Sequence, residues 1–66
     1  MNKYLVYFPN TDLITDIVAD TWDIDNSNYL TFYAKDRSGV SSKKEVIAVF
    51  NMSNILGFKE IKDGNN

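Results

Sequence analysis

Leu13-Ile14-Thr15-Asp16-Ile17-Val18-Ala19-Asp20-Thr21-Trp22-Asp23-Ile24 is the stretch on which the fold turns. Leu13, Ile14, Ile17, Val18 and Trp22 fall at helical spacing, with Thr11 available as a cap. The same residues are rich in Thr and β-branched side chains, and the even positions run Ile14, Asp16, Val18, Asp20, Trp22, Ile24. In a helix Asp12, Asp16 and Asp20 would stack one turn apart and repel one another. That cost favours a strand, bent or bulged near Ala19-Asp20. A helix is the alternative.

Outward from this stretch, strand signals dominate. Lys3–Phe8 is rich in Tyr, Val and Phe and runs into Pro9-Asn10-Thr11-Asp12, a turn cluster. Asp25-Asn26-Ser27-Asn28 is a second turn. Tyr29–Lys35 alternates, with Leu30, Phe32 and Ala34 on one face and Tyr29, Thr31, Tyr33 and Lys35 on the other. Asp36–Ser42 reads as a flexible loop around Gly39. Glu45–Phe50 is apolar on both faces, with Val46, Ala48 and Phe50 on one and Ile47 and Val49 on the other. Asn51–Asn54 predicts a single helical turn capped by Asn or Ser. Leu56–Ile61 is the last strand, and residues 62–66 read as a frayed tail.

These elements predict one domain, residues 1–66, mainly β. The expected form is a small five-stranded antiparallel barrel or curled sheet, with one short helical turn before the last strand. An SH3-like architecture has the same turn in the same place. The expected core is Leu5 or Val6 with Ile17, Val18, Leu30, Phe32, Val46, Ala48, Phe50, Leu56 and Phe58. In a sheet with one wet face, strands alternate apolar and polar residues. Lys3–Phe8 and Glu45–Phe50 do not. Either a closed barrel packs tightly around them, or a second copy covers their other face.

Composition excludes much. The chain has 66 residues, no Cys and no His. There is no disulfide and no zinc, haem or iron–sulfur site of the usual kind. Nucleophile–base pairs built on His or Cys are also out of reach. The three glycines are far apart in the sequence and form no phosphate loop. Asp23-x-Asp25-x-Ser27 opens like a calcium loop, but the sixth position is Asn28 and the twelfth Ala34. We therefore expect no enzyme activity, cofactor or metal. A core this small supplies only ~3–5 kcal/mol unless something reinforces it. With disulfide and metal excluded, association remains, so a homo-oligomer is expected. The N-terminus has no secretory pattern, and no stretch approaches ~18 apolar residues. The reading is a cytoplasmic protein without a membrane segment.

Charge points to a partner. Residues 11–34 hold five aspartates, Asp12, Asp16, Asp20, Asp23 and Asp25, and no Lys or Arg. Six basic residues follow, Lys35, Arg37, Lys43, Lys44, Lys59 and Lys62, against Asp36, Glu45 and Glu60. The formal net charge is −2 and the pI ≈ 4.7. An acidic stretch without interleaved bases suits a basic protein patch, with Tyr29 and Tyr33 as flanking contacts. It also suits a merely solvated surface. Two other function classes stay open. An oligomeric nucleotide-signal binder would use Lys35, Arg37, Lys43 and Lys44 near aromatics. A single-strand nucleic-acid binder would stack bases on Tyr29, Phe32 and Tyr33, though the acidic pI opposes it.

Ala19-Asp20, Leu30-Thr31-Phe32-Tyr33, Val46–Asn51 and Asn54-Ile55-Leu56-Gly57 together resemble the small β-rich accessory proteins of phages and prophages, chains of about the same length. The resemblance implies a protein that works by binding, in some cases by inhibiting a host enzyme or immune system in the host cytoplasm. It transfers no functional residue. With the acidic stretch, it gives the leading expectation: a non-enzymatic inhibitor that binds a host protein with a basic surface.

Overall fold

The computed structural model describes residues 1–35 and 44–62. It is mainly β, with six strands: β1 (Asn2–Tyr7), β2 (Ile14–Ala19), β3 (Thr21–Ile24), β4 (Tyr29–Lys35), β5 (Lys44–Asn51) and β6 (Gly57–Ile61). A 3-10 turn, Met52–Asn54, precedes β6, and the Asn51 side chain caps it by accepting from the Ser53 amide. All ladders are antiparallel. They form two three-stranded sheets, one ordered β2-β1-β6 and the other β3-β4-β5.

Ile14–Ala19 and Thr21–Ile24 are strand, not helix, and Asp20 breaks the run into β2 and β3. The break lets one run of chain serve both sheets. Asp20 donates its backbone N–H to the Tyr33 carbonyl (2.8 Å), and its carboxylate accepts from the Lys35 amide (2.7 Å). At the other corner the Leu56 amide donates to the Tyr7 carbonyl (2.7 Å), which delivers the chain to β6 beside β1. The β3–β4 turn is held by Asp25, whose Oδ1 accepts from the amides of Ser27 and Tyr29. Asn28 adopts a left-handed backbone there (φ 69°), a conformation that Asn tolerates well.

Six strands in two sheets replace the expected five-stranded barrel or curled sheet. Among the described residues no ladder joins β5 to β6, so the SH3-like closure is not made. The expected bend at Ala19-Asp20 became a true break, which turns one strand into two with separate registers. The predicted loop over residues 36–42 lies outside the described residues, as do residues 63–66 of the tail.

The core lies between the sheets. Tyr4, Val6, Ile17, Ala19, Leu30, Phe32 and Ile55 are buried. Phe32 is its centre, with ring centroids 5.1 Å from Tyr4, 5.8 Å from Phe58 and 6.1 Å from Phe50. Trp22 meets Phe58 edge-on at 5.0 Å and so links the two sheets. Such ring pairs add about 0.5–1.5 kcal/mol each beyond the area they bury.

Three expected core residues are exposed instead: Val18 at 51%, Val46 at 55% and Leu56 at 74%. Each has a parity reason. In β2 the odd positions Ile17 and Ala19 face the core, so Val18 faces out. Leu56 follows Ile55, which fills the core just before β6 begins. In β5 a bulge intervenes: Phe32 lies opposite Ala48, but Tyr33 lies opposite Val46, and Ile47 is the extra residue. Val46 is thereby turned to the face opposite that of Ala48 and Phe50, which remain packed against the core.

Candidate protein-docking site

The acidic stretch maps onto one margin of the molecule. β2 is an edge of the first sheet and β3 an edge of the second, and they follow each other in the chain. Asp12 lies in the turn before β2, Asp16 on β2, Asp20 at the break, Asp23 on β3 and Asp25 in the turn after it. The five aspartates therefore lie on or beside two consecutive edge strands, one from each sheet.

They do not all do the same thing. Asp16 lies opposite Leu5 on the outer side of the first sheet, and its carboxylate pairs with Lys3 at 3.2 Å. Both side chains are about half exposed (51% and 56%), so the pair is worth only about 0–1 kcal/mol. Asp20 and Asp25 spend carboxylate oxygens on backbone amides, as described above. Asp23 lies opposite Thr31 on the outer side of the second sheet. Among the described residues, Asp12 and Asp23 make no side-chain bond. The aspartates do not form one stripe, because the break at Asp20 puts Asp16 on the first sheet and Asp23 on the second.

Tyr29 and Tyr33 are on β4, the middle strand of the second sheet, and share an outer face with Asp23. Tyr29 is 41% exposed. Tyr33 is half-buried, and the Lys44 ammonium sits over its ring, 5.3 Å from the centroid. That contact covers part of the aromatic surface on which a base would stack. Lys35 and Lys44 face each other across β4 and β5. Arg37 and Lys43, the other two candidates for a nucleotide site, lie outside the described residues.

Comparison with protein-family models, with curated proteins and with solved structures finds no match. Function must therefore be read from the surface itself. An open hollow of ≈ 260 Å³ lies at the end of the first sheet, lined by Met1, Asn2, Lys3, Glu60, Ile61 and Lys62. It has no aromatic wall. Among the described residues no cluster of acidic side chains is arranged to hold a metal ion, and no helix is long and apolar enough to cross a membrane.

What the surface offers instead is edges and apolar faces. Ile14 and Val18 on β2, and Val46, Ile47 and Val49 on β5, are 40–55% exposed. The doubly apolar pattern of Glu45–Phe50 set a second copy against a closed barrel in the sequence, but it singled out no β5 residue as a partner contact. The bulge that sends Val46 outward has no mark in the sequence.

Proposed function

We propose that this chain is a non-enzymatic protein-binding module that docks its β2–β3 margin onto a basic surface of another protein. The observation that carries the reading is that the five aspartates lie on or beside the consecutive edge strands β2 and β3, with Asp12, Asp16 and Asp23 exposed and not spent on backbone amides. An edge strand also offers unpaired backbone groups to a partner strand, so charge and main-chain pairing can act together. In the phage setting that the sequence resemblance implies, the partner is a host protein and binding inhibits it.

The test is a tagged pull-down from host lysate, eluted stepwise with salt. One stoichiometric protein released by moderate salt is expected. Replacing Asp12, Asp16 and Asp23 together with Asn should weaken its binding by about tenfold or more and flatten the salt dependence. Unchanged affinity in that variant would refute the acidic-docking reading. Thermal stabilisation by nucleotides would instead favour a small-molecule site on the outer face of β4 and β5.

A further inference from the structure

We propose that β5 is a self-association edge: two copies pair their β5 strands antiparallel, with Val46 of one opposite Val49 of the other. The two β3-β4-β5 sheets then join into one of six strands. This surface is separate from the acidic margin, since β3 and β5 are opposite edges of the same sheet.

β5 is the longest strand, eight residues, and pairs with β4 on one side. Among the described residues nothing pairs with its other side. Soluble proteins usually blunt such an edge with charges, proline or a bulge, and within residues 46–50 this strand has the bulge alone. Here residues 46–50, Val-Ile-Ala-Val-Phe, carry no charge. Val46, Ile47 and Val49 are 55%, 40% and 52% exposed. A segment with this β propensity and no charge associates unless something covers it. A 66-residue chain without a disulfide also gains stability from association.

The geometry selects the occupant. In an antiparallel ladder, residues that face each other share a side of the sheet. The pairing with β4 puts Lys44, Val46, Val49 and Asn51 on the outer side, with Lys35, Tyr33, Thr31 and Tyr29. It puts Glu45, Ala48 and Phe50 on the inner side, with Ala34, Phe32 and Leu30. Setting Val46 against Val49 of a second copy also sets Lys44 against Asn51 and Glu45 against Phe50. Every one of those pairs joins like sides. The bulge at Ile47 makes this possible, because it puts an odd number of steps between two outward valines. A slip of one residue sets Val46 against Ala48 and joins an outer position to an inner one. In the matched register no like charges face each other, and the two-fold axis passes between Ile47 and Ala48, as a closed dimer requires. Outside the central Ile47–Ala48 pairs, the strand is complementary to itself.

The test is the mass of the full chain in solution by light scattering behind size exclusion, over a range of concentrations. A species of twice the 7.6 kDa chain mass is expected. Val46→Lys with Val49→Lys faces lysine with lysine twice and should halve that mass. Val46→Lys with Val49→Glu faces lysine with glutamate and should keep the dimer. Circular dichroism checks that both variants fold, and these side chains are exposed. Amide exchange of the unaltered chain gives a second readout that needs no variant: β5 amides should slow as concentration rises. A monomer at every concentration overturns the proposal. So does a dimer that survives the double lysine change, or β5 protection that appears only with a host protein bound.

Discussion

Asp20 receives the Lys35 amide on its carboxylate while its own amide donates to Tyr33. One residue thereby ties the break between β2 and β3 to the middle strand of the second sheet. Asp20→Ala removes that acceptor from the Lys35 amide and should cost about 0.5–1.5 kcal/mol in urea unfolding. Asp25→Ala removes the acceptor for two amides and should cost a similar amount. Asp12→Asn and Asp23→Asn should change stability by less than ~0.5 kcal/mol, as surface changes away from such features do. The five aspartates are thus separable by experiment into those that hold the fold and those that are offered outward. The sequence shows the charge run but not this division. Asp20 and Lys35 are 15 residues apart, and nothing local pairs them.

Among the elements, β4 was the most legible and β5 the least. β4 alternates strictly, so Leu30 and Phe32 fall inward at 0% exposure, as their spacing demands. Phe32→Ala should cost about 3–5 kcal/mol, by transfer and cavity together. That is of the order of all the stability available to a domain this size. The expected outcome is a chain whose circular dichroism already lacks strand signal at 25 °C. β5 reads as a strand apolar on both faces, with Val46 on the side of Ala48 and Phe50, yet the bulge breaks that parity and reverses Val46. A bulge follows from how a strand fits its neighbour, and that fit is not written in the strand alone. A bend near residue 20 was legible because Asp is a poor strand residue between two β-branched runs. That the bend would divide two sheets was not. The β3–β4 turn gives a local test. Asn28→Gly should preserve stability, whereas Asn28→Val forces a β-branched residue into φ 69° and should cost about 1–2 kcal/mol in the same denaturation.

At the scale of the molecule, two small sheets stand or fall together. Trp22 is the single tryptophan, and its ring meets Phe58 of the other sheet. Its fluorescence therefore reports sheet–sheet contact, while circular dichroism reports strands. Both should unfold with one midpoint, as expected when neither sheet can stand without the shared core. Two separated midpoints would mean that one sheet persists alone. Mainly β character and the 3-10 turn before the last strand were readable from turn chemistry and β-branched runs. Openness in place of a barrel was not, because closure depends on whether distant strands meet.

The place of β1 carries a further consequence. It is the first strand in the chain, yet it lies between β2 and β6 in the centre of its sheet. During synthesis on the ribosome β1 can pair with β2 early, but its other side waits for Gly57–Ile61. The Leu56–Tyr7 bond waits as well. A nascent chain therefore holds a half-covered hairpin until its last strand emerges, and contacts this far apart in sequence form slowly. The interval before Phe58 arrives beside Val6 is when this chain is most open to being caught by something else.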